Sequence, residues 1–314
     1  MSEATTTAPA AVATGRRKVV SDRARAERRL AWTLCAPAVI VMVAVTAYPI
    51  GYAIYLSLLR ADLRFPGKNT WVGLDNYITV LSSGKWWADF AHTAIITGVS
   101  VAIELVLGMI LALIMYRALV GRGLVRTSAQ VPYGIVTVVA AFAWRFAWSK
   151  AEGGFVPKAL GLSSDPTALT EKFWNFLIVI ATEVWKTTPF MALLLLAGLT
   201  LVPEELHEAA KVDGASAWQR FWKITIPLMK PAILVALLFR TLDAFRIFDS
   251  VYIISNGNNP NIETVSVLNA NVLLTRLNLG LGSAISVLIF LFVVLIAVLF
   301  VKGFGTAAPG GDTR

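Results

Sequence analysis

The chain alternates long apolar segments with short polar connections. A helix needs about 20 residues to cross roughly 30 Å of hydrocarbon, and six segments are apolar over approximately that length: residues 31–59, 91–116, 131–148, 173–201, 231–254 and 281–300. The third is short and the first and fourth are long, so tilts or kinks are expected near Pro37, Pro49 and Pro189. The first segment is too long for a cleaved signal peptide and is interpreted as an anchor. The pattern predicts an all-α, polytopic membrane protein with six transmembrane helices.

Composition supports one membrane domain rather than two soluble ones. Of the 314 residues, 57% are hydrophobic and 15% are charged, and the mean hydropathy is +0.68, whereas soluble domains carry about a quarter charged residues. We expect the membrane domain to cover residues 28–302. The segments 1–27 and 303–314 are rich in small and polar residues, which predicts disordered cytoplasmic tails. The single cysteine, Cys35, excludes a disulfide framework within the chain.

Lysine and arginine predict the orientation. With the N-terminus inside, the inner segments hold 16 of these residues and the outer loops hold 8, which favours a plasma-membrane protein with both termini in the cytoplasm. The net charge of +9 lies mainly at the ends of the spans, where topology and anionic lipid account for it. The charge therefore gives no reason to expect a nucleic-acid partner.

One polar stretch, residues 203–227, interrupts the membrane pattern on the predicted cytoplasmic side. Its first helix has acidic residues at the positive end and can be closed by Gly214 in a left-handed cap. A second helix is predicted over residues 215–226, with return to the membrane at 227–231. For an arbitrary loop, the favoured interpretation would be an amphipathic helix lying on lipid headgroups.

The spacing within this stretch resembles a known signature. Glu208-Ala209-Ala210, then Gly214, Ile224 and Ile226-Pro227 resemble the EAA motif of ABC-importer permeases, in which leucine normally stands where this chain has Ile226. Further resemblance runs from about residue 28 to residue 300. It includes WVGLDNY (71–77), EVWKTTPF (183–190), LLLLAGLTLVPEEL (193–206), FDSVYIIS (248–255) and GSAISVLIF (282–290). Together these segments are similar to the permeases of maltose-type sugar importers.

This resemblance implies a type I ABC importer permease fold. It also implies that this chain spans the membrane while a separate subunit hydrolyses ATP. The short EAA helix would dock into a groove of a cytoplasmic ATPase through Glu208, Ala209, Ala210, Asp213 and Gly214. No G-x-x-x-x-G-K-[ST] motif occurs in the chain, so ATP and Mg²⁺ are expected on the partner ATPase subunits and no cofactor on this chain. The other implied partners are a second homologous permease, two ATPase subunits, an extracytoplasmic sugar-binding lipoprotein and a disaccharide, for which the resemblance suggests trehalose.

Charged residues recur every third position in the fifth apolar segment, at Arg240, Asp243, Arg246 and Asp249. Charges inside a membrane are costly, so these residues are expected to face the bundle interior and to pair with one another. Two interpretations stay open at this point: an ion-pair ladder that holds spans together, or a polar wall of the sugar path. Glu104 in the second segment is expected to pack inward against an unidentified partner.

The resemblance also places eight residues along the sugar path. They are Glu183, Lys186, Thr187, Phe190, Arg240, Asp243, Ala244 and Ile247. Charged groups stand where the maltose permease has mostly amide, hydroxyl or apolar ones, and Asp243 and Glu183 are the leading candidates. Arg145 is instead expected to extend toward the membrane surface, and the turn-rich loop 255–263 would face the binding protein.

Two other function classes compete with the importer permease. An ion-coupled secondary transporter for a small polar solute could use the charged fifth segment as its coupling site. A membrane-embedded enzyme would need a nucleophile or a metal-ligand set, and the sequence offers neither. Neither alternative requires a cytoplasmic docking helix, so the EAA spacing favours the permease.

Overall fold

The computed structural model describes residues 22–117, 122–168, 171–257 and 259–305. Most of the two predicted tails therefore lies outside the described residues, although helix α1 already begins at Asp22 and the last helix ends at Gly305. The chain divides into two units, residues 1–52 and residues 53–314. Helix α1 (Asp22–Ser57) runs through Pro37 and Pro49 as one helix, and its last residues, 53–57, are counted with the second unit.

The second unit is mostly helical, with one short hairpin. Its elements, in chain order, are β1 (Leu59–Arg60), β2 (Thr70–Trp71), α2 (Asp75–Leu81), α3 (Gly84–Arg117), α4 (Arg122–Gly134), α5 (Thr137–Trp148), α6 (Val156–Ala159), α7 (Lys172–Leu199), α8 (Glu204–Val212), α9 (Ala217–Arg220), α10 (Ile226–Ala244), α11 (Asp249–Ile254), α12 (Val265–Ala270) and α13 (Leu279–Gly305). Two π-helical segments, Phe221–Thr225 and Asn271–Thr275, precede α10 and follow α12 respectively. The strands pair antiparallel, with Leu59 opposite Trp71.

Five described helices are long and apolar enough to cross a membrane, or six if one bent pair counts as a span. The bent pair corrects the predicted third span. Residues 126–134 of α4 and α5 meet at an angle of 87° instead of forming one short helix over 131–148. Pro132 and Gly134 weaken the end of α4, and Val136 then adopts an extended conformation with φ −58° and ψ 133°. The break is therefore a local consequence of the sequence.

The fifth span also differs from its predicted bounds. Residues 217–244 form one membrane-length helical run. The helix predicted over 215–226 is therefore not separate from the fifth span, because it continues into α10 without a break. The run begins with a capping box between Ser216 and Gln219. Pro227 lies in the first turn of α10, directly after the π-helical segment, where its missing N–H is tolerated. The predicted C-terminal bound of 254 was wrong as well, because α10 ends at Ala244 and α11 is a separate helix.

The main core lies between α3, α7 and α10. Helices α3 and α7 run parallel, since His92 approaches Lys172 at one end and Gly108 meets Met191 further along. Buried apolar side chains fill the space between the three helices: Met109, Ala112, Met115, Met191, Leu195, Leu199, Met229 and Ala236. The approach at Gly108 is so close that an added Cβ would lie 2.8 Å from the Met191 Cγ. A glycine is therefore required there by packing rather than by backbone conformation.

The loop 255–263 folds into the protein at the end of the bundle opposite α8. Glu263 is buried and forms an ion pair with Lys85 of α3. It also accepts a hydrogen bond of 2.9 Å from the Asn271 side chain, and its backbone carbonyl lies 3.1 Å from Nδ1 of His92. These contacts hold the loop against α3. Among the described residues of the loop, Asn256 and Pro260 are exposed and available to a partner.

The close packing at Gly108 predicts a measurable loss of stability on Gly108→Ala. The new methyl group must displace Met191, and such overpacking costs about 1–3 kcal/mol. The melting temperature of the purified protein, or of its complex, should fall. Gly98→Ala is the matched control, because the same helix leaves open space around an added Cβ at Gly98. Equal melting temperatures for the two variants would contradict the packing argument.

Candidate functional site

Helix α8 is a nine-residue helix closed at its C-terminus by a glycine turn. Gly214 has φ +78°, the conformation that the sequence predicted for a left-handed cap. The N–H of Gly214 donates to the carbonyl of Lys211 at 3.1 Å, and the N–H of Ala215 donates to the carbonyl of Ala210 at 2.9 Å. These two bonds form a Schellman motif. The helix therefore ends sharply, and the chain turns directly into the run that begins at α9.

No residue of α8 is buried. Glu208 and Ala209 are exposed, Ala210 is half-buried, and Asp213 and Gly214 are exposed. The helix also presents apolar surface, because the side chain of Val212 is 88% exposed. A helix this short is marginal in water without tertiary packing, and here the flanking segments hold it.

The anchors of α8 lie on both sides of it. Val202 belongs to the main core and precedes the helix. Phe221 and Ile224, which follow it, pack against the same core. The arrangement presents a small acidic and apolar surface, held at both ends, that no other described element covers. Such a surface suits a protein partner.

A second candidate site lies inside the bundle, around Arg240 of α10. The side chain of Arg240 is 1% exposed, and that of Glu104 on α3 is fully buried. Arg240 donates from Nε to Oε2 of Glu104 at 2.5 Å and from Nη2 to Oε1 at 3.0 Å. This two-pronged pairing is the strong arrangement for a guanidinium and a carboxylate. It also identifies the partner of Glu104 that the sequence left unnamed.

Two more carboxylates complete this cluster. Arg240 donates from Nη2 to Glu183 of α7 at 3.2 Å and from Nη1 to Asp243 at 2.6 Å. Ser250 of α11 donates to the other oxygen of Glu183 at 2.5 Å. One arginine thus connects three helices, and a serine adds a fourth. We call Glu104, Glu183, Arg240, Asp243 and Ser250 the Arg240 cluster.

The predicted three-residue ladder along the fifth segment does not form. Only Arg240 and Asp243 pair at that spacing, and neither Arg246 nor Asp249 takes part in an ion pair among the described residues. The reason is the end of α10 at Ala244, since Arg246 lies in the break and Asp249 begins α11. The charges pair across helices instead of along one.

Burial divides the eight predicted path residues into two groups. Five are buried: Glu183, Thr187, Arg240, Ala244 and Ile247. Asp243 is 70% exposed, while Lys186 and Phe190 are half-buried. The structure therefore separates the two leading candidates. Glu183 is held within the protein, whereas Asp243 faces open space with one oxygen bound to Arg240.

Other side chains at the site were missed or misread from the sequence. Ser250 gave no signal, because a lone serine in an apolar helix is common. Arg145 does not simply extend outward. It donates to the carbonyl of Ile253 at 3.1 Å and to the side chain of Asn256 at 2.6 Å, which ties α5 to the turn after α11.

The described residues contain no group of three or more His, Cys, Asp or Glu that could hold a metal ion.

Comparisons with known proteins place this geometry in context. Residues 77–305 match the family described as "binding-protein-dependent transport system inner membrane component". The chain is 57% identical over 287 residues to the trehalose transport system permease protein SugA of Mycobacterium tuberculosis, covering 91% of this chain and 92% of the relative. It is 38% identical over 278 residues to the trehalose/maltose transport system permease protein MalF of Thermococcus litoralis, covering 88% and 94% respectively.

A solved structure supports the fold. One chain of a bacterial alginate ABC transporter, crystallised in complex with an alginate pentasaccharide-bound periplasmic protein, superposes with a TM-score of 0.77. The identity is 19%, and the match covers 92% of this chain and 98% of the other. At this identity the likeness shows the fold, an all-α polytopic membrane protein, and nothing about the substrate.

From the geometry of the Arg240 cluster, we expect substitutions of its charged residues to lower the free energy of unfolding by unequal amounts. Arg240→Met leaves buried carboxylates uncompensated and should cost about 3–5 kcal/mol, seen as lower membrane abundance and a lower melting temperature. Asp243→Asn should change stability by less than about 1 kcal/mol, because this pair is exposed on the aspartate side. Adding Glu104→Leu to Arg240→Met should restore part of the loss by removing a buried charge. Equal stability of the Arg240→Met and Asp243→Asn proteins would show that the cluster does not hold the helices.

Proposed function

Since this chain belongs to the family of binding-protein-dependent transport system inner membrane components, we propose that it forms half of the translocation path of an ATP-driven importer for trehalose or a related disaccharide. Membership confirms the family predicted from residues 208–227. The chain is a permease subunit of an ABC sugar importer, a multi-pass membrane component and not an enzyme. The substrate proposal rests on the relatives, whose names specify trehalose or maltose.

The observation that carries the mechanism is that α8 has no buried residue although both of its ends are held by the core. We infer that a groove on a cytoplasmic ATPase subunit covers it. Ala209 and Ala210 allow close approach, Glu208 and Asp213 can meet basic groups, and Val212 adds apolar contact. Burial of these groups on docking would supply the tertiary packing that a nine-residue helix lacks.

The chain connection from α8 to the fifth span is short and continuous. The Schellman turn at Gly214 leads into the helical run 217–244, and Arg240 lies near the far end of that run. A displacement of α8 would therefore be carried along this run to the Arg240 cluster, and through Glu104 and Glu183 to α3 and α7. Rigid movement of helices of this kind is one established form of conformational switching. ATP-driven closure of the ATPase pair would supply the force.

The complete assembly would contain several further components. A second homologous permease is needed because one half lines only one side of a central path. Two ATPase subunits would bind ATP and Mg²⁺, and an extracytoplasmic sugar-binding lipoprotein would deliver the sugar. The excess of lysine and arginine in the inner segments supports cytoplasmic termini, with α8 on the cytoplasmic face and the loop 255–263 on the outer one.

The sugar path is proposed to pass Asp243 rather than Glu183. Only one carboxylate oxygen of Asp243, Oδ2, is bound by Arg240 among the described contacts, and the side chain is exposed. A carboxylate held in place by a buried guanidinium is a well-oriented acceptor for sugar hydroxyl groups. Glu183 is occupied by Arg240 and Ser250, so its role is to hold this acceptor in position.

Charge reversal on α8 tests the coupling proposal. Glu208→Lys should reduce both trehalose uptake and coupled ATP hydrolysis by about tenfold or more, since a buried like-charge contact costs several kcal/mol. Membrane insertion should be normal, because α8 has no buried residue. Asp75→Lys, a reversal of an exposed acidic residue at the opposite end of the bundle, is the matched control. Normal uptake by the Glu208→Lys complex would remove the coupling role.

Neutralisation of Asp243 tests the path proposal. In reconstituted complexes, Asp243→Asn should lower trehalose uptake by about three- to tenfold, because a hydrogen bond to a charged group is stronger than one to an amide. Uptake of labelled trehalose, maltose and sucrose should be compared in parallel to define the sugar. If Asp243→Asn lowers only the amount of protein in the membrane, Asp243 has a structural role and does not line the path.

A further inference from the structure

The short helix α2 has three different faces. On the first, Val80 is buried in a core cluster that it shares with residues of α3, α12 and α13. On the second, the side chains of Ile78 and of Leu74, which directly precedes the helix, are each 63% exposed. On the third, Asp75 and Thr79 are exposed and polar. The spacing of four residues places each exposed pair along its own side of the helix, so α2 has one side for protein, one apolar side and one polar side.

Two tryptophans extend the apolar side of α2. Trp71 of β2 and Trp87 in the first turn of α3 are both exposed, as is Leu81 at the end of α2. The indole N–H of Trp87 donates to the carbonyl of Leu81 at 2.8 Å, whereas the indole N–H of Trp71 has no hydrogen-bond partner among the described residues. Indole rings combine an apolar body with one polar group and are enriched where a membrane meets water. We call Trp71, Leu74, Ile78, Leu81 and Trp87 the α2 patch.

The α2 patch lies where two membrane-length helices meet the end of the bundle. The side chain of Asn76 on α2 donates at 2.8 Å to the carbonyl of Ser57, the last residue of α1, and α3 begins at Gly84. Both α1 and α3 are long and apolar enough to cross a membrane. Exposed apolar side chains continue from Trp87 along α3, at Ile95, Val99 and Val106. The α2 patch is therefore continuous with the apolar surface of a span, at the level where that span begins.

The chemistry of the patch favours lipid over a protein partner. Interfaces between separate proteins are about as polar as the rest of a protein surface, whereas every side chain of the α2 patch is aliphatic or aromatic. The polar side of the helix, with Asp75 and Thr79, borders this patch directly. Acyl chains match the patch, and headgroups with water match its polar border, as for helices that lie in a membrane surface.

We propose that the α2 patch lies in the outer leaflet of the membrane, with Leu74 and Ile78 among the acyl chains and with Asp75 and Thr79 at the level of headgroups and water. The outer side follows from the cytoplasmic position of α8, because α2 lies at the opposite end of the bundle. This contact holds the start of α3 at a fixed depth in the membrane. The inference goes beyond the proposed importer function and does not depend on which sugar is imported.

Fluorescence quenching at two adjacent positions tests the inference. In the complete complex carrying Cys35→Ala, a fluorophore is attached to Ile78→Cys or to the matched control Thr79→Cys, and the complex without an introduced cysteine gives the background. The complexes are placed in nanodiscs of phosphatidylcholine and phosphatidylglycerol. Lipid with a nitroxide near the headgroup end of its acyl chains should lower the fluorescence at position 78 about twofold or more, because an interfacial helix buries its apolar face to that depth. Iodide in the water should quench mainly at position 79.

Each other outcome identifies a different occupant of the patch. Quenching at position 78 by iodide alone shows that the patch faces water, and quenching by neither reagent shows that another subunit covers it. Iodide quenching at position 78 that disappears when purified binding protein is added identifies that protein as the occupant. Equal lipid quenching at positions 78 and 79 contradicts the distinct faces of α2. All four results overturn the inference and leave the importer function standing. If Ile78→Cys prevents assembly, Leu74→Cys on the same side of the helix decides.

Discussion

The burial of one guanidinium constrains the arrangement of the bundle. A charge removed from water costs several kcal/mol unless ionised and hydrogen-bonding partners surround it, and Arg240 is surrounded by carboxylates from α3, α7 and its own helix. These helices must therefore keep their relative positions as long as Arg240 remains buried. Ser250 extends the constraint to α11 through Glu183. The cluster fixes the depth at which α10 sits against α3 and α7, and that depth determines where Asp243 is presented.

The same helix connects this constraint to the surface. Because residues 217–244 form one helical run, Arg240 lies on an element that begins three residues after Gly214 and continues without a break to the cluster. The π-helical segment at Phe221–Thr225 lies in the part of the run nearest α8, and its Phe221 and Ile224 pack against the main core. An exposed helix joined in this way to a buried ion pair is suited to transmit displacement.

Local sequence determined much of this protein. The six apolar segments predicted the membrane bundle, and the EAA spacing predicted the permease family, because both depend on residue types at short, fixed separations. The left-handed cap at Gly214 was predictable for the same reason, since only glycine adopts that conformation at little cost. The bend after Gly134 had local signals in Pro132 and Gly134, but the apolar run through residues 131–148 concealed them.

Only the tertiary structure decided which charges meet. The three-residue spacing from Arg240 to Asp249 suggested a ladder along one helix, yet α10 ends at Ala244, and Arg240 turns to Glu104, which is 136 residues away in the chain. Nothing in the local sequence encodes the pairing of Arg240 with Glu104, because this pairing depends on how α3 packs beside α10. Asp243 and Glu183 were separated in the same way. Their chemistry is nearly identical, and burial, which is a property of the packed bundle, distinguishes the exposed carboxylate from the buried one.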